Sequence, residues 1–242
     1  MSKRRITPSY IAAHIRRVLN DGGSAPHAAD VQWFFKEEIK YRGWYTAEMR
    51  KVAVRFRRAI IRERGLEFLV QVADQLFRGR VLEEKVFAVF LLEKLVDQLG
   101  DNEFRMFESW IDRLTSWADH DGLVHYLIAP MIVTQPARAS MVFTWARSEN
   151  QWHRRAACVA LIQATRRKML LPKIKRLASL LLCDENDMVQ KGLGWLLRET
   201  VKHNAAGTLP YLRQIRGRAP RLVLRTACET LSPSARKRIL AE

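Results

Sequence analysis

Asp121 is the residue that most invites chemistry. Basic residues recur along the chain at nearly even spacing, and Asp121 stands where another would fall. The series is Arg50, Lys85, Asp121, Arg155, Lys191 and Arg225, with steps of 35, 36, 34, 36 and 34 residues. A carboxylate set among cations keeps its charged form. It also repels phosphate, so anion binding alone gives no reason for it. Trp117 precedes it by four residues, and Trp195 follows Lys191 by four. Such pairs share a helix face. Either tryptophan could serve as core. Beside an anion, however, aromatic faces offer a cation somewhere to sit. The combination suits a positively charged ligand or transition state that arises on a polyanion.

The polyanion is indicated by composition. The 242 residues carry 42 Lys and Arg against 25 Asp and Glu, a formal net charge of +17. Nucleic acid is the first partner such a balance implies, with an anionic membrane surface as competitor. No apolar run approaches the roughly 18 residues of a spanning helix. Lys3-Arg4-Arg5 has no apolar segment behind it, so no signal peptide is expected and the protein is placed in the cytoplasm. Cys158, Cys183 and Cys228 are an odd number, widely spaced in apolar helical patterns. That argues against a disulfide framework or a zinc site and for buried thiols.

The elements that must position these residues read as helices throughout. Apolar residues recur at helical spacing, as in Val86, Val89, Phe90 and Leu92, and in Leu193, Leu196 and Leu197. Alternating strand patterns are absent. Helix starts are expected at Thr46, Asp101, Ser148 and Asp184, and boundaries at Pro130, Pro136, Pro172, Pro210 and Pro220. About a dozen helices with short connections imply helical hairpins. Internal repeats sharpen this. Arg155-Ala156-Ala157-Cys158 matches Arg225-Thr226-Ala227-Cys228 at an offset of 70, and Ser148-Glu149-Asn150-Gln151 matches Asp184-Glu185-Asn186-Asp187 at 36. A period near 35 is the size of a two-helix solenoid repeat. Stacked repeats put equivalent residues in a row on one face. Here that row is basic at five of six positions, reinforced by Lys51, Arg154, Arg198 and Arg221. Singly, each such residue would simply solvate a helix. As a row they form a track for phosphates.

Four segments resemble the AlkD-like DNA glycosylases, DNA alkylation repair enzymes built of HEAT-like repeats. Tyr41 to Arg50 is similar to the family's early Gly-hydrophobic-x-x-Pro-x-x-Arg turn, with Ala47 in place of the proline. Trp117 to Asp121 resembles its Trp-Asp-x-x-Asp motif, with Ala118 where the family has Asp. Glu149 to Ala157 resembles Asn-x-Trp-x-x-Arg-Ala-Ala. Gln190 to Glu199 resembles Gln-Lys-Ala-x-Gly-Trp-x-Leu-Arg-Glu, the most specific of the four.

The resemblance implies a right-handed α-solenoid of about six HEAT-like repeats with a concave basic groove. It runs as one domain over 1–242, with 1–29 as an N-terminal helical cap and 30–242 as the region of likeness. The catalytic aspartate falls on Asp121, the active-site tryptophans on Trp117 and Trp195, and the active-site arginine on Arg155. An entry-helix aromatic falls near Phe34, where Trp33 and Phe35 compete for the role.

The implied reaction is hydrolysis of the N-glycosidic bond of cationic N3- or N7-alkylpurines in double-stranded DNA, the first step of base excision repair. The alkylated base is a good leaving group. The chemistry therefore needs an anion near an oxocarbenium-like sugar more than a strong acid. Asp121 would supply that anion and orient water, the tryptophans would pack on the deoxyribose, and Arg155 would grip a phosphate. A monomer that uses no cofactor or metal is expected. His120, His125 and His153 lie near the site, and Asp121 and His125 have i,i+4 spacing, but a metal would need more converging ligands. The alternative is a non-catalytic HEAT-like repeat protein that binds damaged or branched DNA.

Overall fold

The computed structural model describes residues 6–36 and 38–240, and among them the regular elements are helices. The chain divides into two compact units, Met1–Leu127 and Ile128–Glu242.

The first unit holds α1 (Pro8–Asp21), α2 (Ala25–Gln32), α3 (Thr46–Phe77), α4 (Leu82–Leu92), α5 (Asp101–Trp110) and α6 (Trp117–Leu123). Thr7 caps α1 by accepting from the Tyr10 amide. Ala12, Ile15 and Leu19 then face α3 at helical spacing and are fully buried. This helix is part of the unit's core, although residues 1–29 read as an appended cap. α3 turns at Gly65, whose φ of 84° and ψ of 178° lie outside the helical region. Glycine adopts that conformation without steric cost.

α4 is buried at every position but Val86, including three consecutive charged residues. Together the three tie the helix to α1, to residues 42–44 and to α6. The Glu83 carboxylate accepts from the amides of Arg42, Gly43 and Trp44, at 2.7, 3.0 and 3.4 Å. Glu84 pairs with Arg16 at 2.9 Å and Arg42 at 2.8 Å. Lys85 reaches towards α6. Both carboxylates sit in the first turn of α4, where the helix dipole favours them. Burial raises the Glu83 pKa despite these donors.

The second unit holds α7 (Ala129–Thr134), α8 (Val142–Trp145), α9 (Gln151–Val159), α10 (Ile162–Arg166), α11 (Leu171–Leu181), α12 (Asp187–His203), α13 (Ala205–Ile215), α14 (Arg221–Ala227) and α15 (Pro233–Leu240). α12 is its axis, packed by α9 and α14. Glycines allow the close approach. A Cβ on Gly194 would lie 2.6 Å from Thr226 Cβ, and one on Gly192 would lie 3.2 Å from Arg155 Cγ.

The 36-residue offset has a direct structural counterpart. Asn150 Oδ1 caps α9 by accepting from the Trp152 amide at 2.9 Å, and Asn186 Oδ1 caps α12 by accepting from the Met188 amide at 2.9 Å. Ser148 and Asp184 were expected to start these helices. Instead they sit two residues before the caps and hold the cap amides. Pro210, expected at a boundary, lies inside α13.

Candidate functional site

α6 carries the central pair of the first unit. Ser116 caps it, and Asp119 completes a reciprocal capping box. Trp117 opens the helix and is 36% exposed. One turn on, on the same face, Asp121 has 23% of its side chain exposed. Trp117 is braced from behind by a stacked partner. Its ring lies 5.0 Å from that of Phe35, with 11° between the planes. Phe35 is buried, whereas Phe34 is 65% exposed and meets Trp33 edge-on. Of the three aromatics that compete for the entry role, Phe35 makes the contact with Trp117.

The Asp121 carboxylate is held through Oδ1, which lies 2.8 Å from Nδ1 of the fully buried His120. Sequence spacing alone offers His125, four residues on, as the histidine on the face of Asp121. Adjacent helical side chains diverge by about 100°, so nothing in the spacing pointed to His120. His125 meets Tyr126 edge-on.

Lys85 corrects the expected basic row. It is 2% exposed and pairs with Asp119 at 2.8 Å. Its ammonium also donates to the Arg113 carbonyl and to Thr115 Oγ1. It cannot meet a phosphate in this position, because three protein oxygens surround it. Asp119 is equally enclosed. It accepts from Thr115 N and Oγ1, both at 3.1 Å, from Ser116 N and Oγ at 2.8 and 2.9 Å, and from His120 N at 3.0 Å. Asp119 therefore does not take the place of the missing carboxylate at Ala118. It anchors the start of α6.

Arg155 does in the second unit what Lys85 does in the first. It is 5% exposed, its stem lies against Gly192, and its guanidinium donates to the Met188 carbonyl at 2.7 Å. It thus seats the start of α12, the helix that carries the half-buried Lys191 and Trp195. A phosphate grip would need a guanidinium open to solvent, which this geometry does not offer. Two cations of the expected row, Lys85 and Arg155, thus lock one helical layer to the next and do not face outwards.

The other expected contacts vary. Arg50 lies over the Phe90 ring at 4.0 Å, within 5.7 Å of the Tyr126 ring, and pairs with Glu93. Lys51 is exposed beside Glu48. Arg154 pairs with Asp184 at 2.7 Å and donates to the carbonyls of Ser148 and Glu149. Arg198 pairs with Glu229. Arg221 is exposed and donates to the Leu240 carbonyl, and Arg225 is exposed. Among the described residues, no three His, Cys, Asp or Glu side chains converge as metal ligands would, and no helix is long and apolar enough to cross a membrane.

A family model described as "DNA alkylation repair enzyme" matches residues 15–231. The chain belongs to the DNA alkylation repair enzyme family. This membership places it in DNA repair with DNA as its partner. The match begins inside α1, consistent with the burial of that helix against α3. A predicted DNA alkylation repair enzyme from Enterococcus faecalis has a similar structure, with a TM-score of 0.78 at 17% identity, over 88% of this chain and 98% of that one. A likeness at that identity supports the family's all-helical fold. No curated protein matches the chain by sequence.

Proposed function

We propose that this family member is a monofunctional DNA glycosylase, which hydrolyses the N-glycosidic bond of N3- and N7-alkylpurines in double-stranded DNA. One observation carries the reading. α6 offers a partly exposed carboxylate one turn from a partly exposed tryptophan, and each is braced by a buried ring behind it. The alkylated purine is already cationic and leaves as a neutral base. Positive charge then develops on the deoxyribose, and a fixed anion in a poorly hydrated place stabilises it. Asp121 supplies that anion and orients the attacking water. Trp117 packs on the sugar, and the role of a second aromatic for Trp195 rests on the resemblance of Gln190 to Glu199 to the family's signature. Arg155 enters this reading by seating α12. Phosphate contacts fall to exposed cations such as Lys51, Arg221 and Arg225.

The reading takes the 35-residue register as a right-handed solenoid of about six HEAT-like repeats that acts as a monomer inside the cell. A second reading, a non-catalytic protein that binds damaged or branched DNA, is favoured by Ala118, where the family has a carboxylate. Incubation with duplex DNA that contains N7-methylguanine separates the two. The glycosylase reading expects free N7-methylguanine well above spontaneous loss. Tight, salt-sensitive binding with no base release would move the protein to the second reading.

A further inference from the structure

We propose that His120 is a positioning residue for Asp121, which orients the reactive carboxylate through the hydrogen bond between His120 Nδ1 and Asp121 Oδ1. The inference rests on the reading of Asp121 as the anion of the reaction. The two side chains are neighbours on one helix, where a shared face is not expected. Even so, Nδ1 and Oδ1 lie 2.8 Å apart, with the imidazole fully buried and the carboxylate at the surface. An ionised carboxylate has only acceptors, so Nδ1 must carry the hydrogen. This sets the tautomer of His120.

The donor is itself rigidly mounted. The His120 amide donates to Asp119 Oδ1 at 3.0 Å and to the Ser116 carbonyl at 3.2 Å. Asp119 in turn is fixed by Lys85. The imidazole thus stands on a buried charged network from α4 and α6, and it passes that rigidity to a partly exposed carboxylate. Staggered rotamers of an aspartate aim its oxygens in different directions, and the bond to His120 Nδ1 favours one of them. Holding a reacting group within a fraction of an ångström is worth about a hundredfold in rate.

The test uses the full-length protein. In the wild type, two-bond 15N–1H correlation spectra of the imidazole are expected to show Nδ1 protonated. A bare Nδ1 with the hydrogen on Nε2 would overturn the proposal, whether or not the protein releases any base. Two variants then separate positioning from packing. His120→Asn places an amide donor close to where Nδ1 stands, whereas His120→Gln places it close to Nε2. In single-turnover release of N7-methylguanine, His120→Gln is expected to be slowed about a hundredfold, with DNA affinity within threefold of wild type. His120→Asn is expected to recover at least tenfold of that loss. Equal rates for the two folded variants would show that His120 only fills space. If the wild type releases no base, the glycosylase reading fails by itself, and the imidazole spectrum still decides the hydrogen bond.

Discussion

Replacing Lys85 with methionine would separate a buried structural cation from a DNA contact. The stem of the side chain survives, and the ammonium is lost. Asp119 then keeps five donors, two each from Thr115 and Ser116 and one from the His120 amide, but loses the cation it is paired with. Both side chains are almost wholly buried, at 3% and 0% exposure. Breaking such a pair from one side typically costs about 3–5 kcal/mol. The remaining donors place the expected loss near the lower end, about 3 kcal/mol. The double variant with Asp119→Asn should recover part of it, because the uncompensated charge is gone. Urea unfolding at pH 7 reads the loss. Binding to undamaged duplex provides the contrast. A cation that touches phosphate contributes about 0.9 to the slope of log affinity against log salt, and Lys85→Met should leave that slope unchanged. A loss below about 1 kcal/mol, together with a shallower slope, would refute the assignment and return Lys85 to the surface row.

Gly43 has φ of +87°, and a Cβ there would lie 1.9 Å from the Ser24 carbonyl oxygen. Gly43→Ala should therefore destabilise the first unit by at least about 2 kcal/mol in thermal or urea unfolding, and an unchanged midpoint would contradict the turn geometry. Asp74 is pushed up by burial. Hydrogen bonds from Trp110 and Arg78 and the charges of Arg78 and Arg113 outweigh that and leave its pKa below the ordinary value. A depressed folded pKa gives stability that is complete above the unfolded value of about 3.9 and fades as pH falls through the folded one. Asp74→Asn should thus cost about 1 kcal/mol at pH 7, a low figure because solvent reaches the site. The gap to wild type should close in acid, and a gap independent of pH would contradict it. Burial pushes the Cys158 thiol up to about 12 and raises that of Cys228, while Cys183 is exposed. At pH 8 one thiol should react rapidly with a disulfide reagent in the folded protein and three after denaturation. Three rapid thiols in the folded state would contradict that burial.

The helical class was legible because it is written in local spacing. Apolar residues at helical intervals predict the helices, and the offset of 36 reappears as two Asn caps with the same hydrogen bonds. The meaning of the register was not legible. Spacing places Lys85 and Arg155 at equivalent points of a repeat, but it does not say whether a long cationic side chain faces solvent or the next helical layer. Only the positions of Asp119 and the Met188 carbonyl decide that. The same limit hid His120. Helical geometry pairs Asp121 with residues three or four away, and a contact between direct neighbours depends on how the buried ring turns. Phe34, Trp33 and Phe35 are alike in type, and packing against Trp117 distinguishes Phe35. Proline spacing alone makes Pro210 a helix boundary, whereas α13 carries it internally.

The central claim is that Asp121 stabilises charge developing on a deoxyribose. Its most direct test is the single-turnover rate of N7-methylguanine release by wild type and by Asp121→Asn, each at saturating protein on the same duplex. The amide keeps the size of the side chain and removes the charge. The account predicts a fall of at least about a hundredfold with DNA affinity retained or increased, since a charge that repels phosphate is gone. Equal release by the two proteins would contradict it.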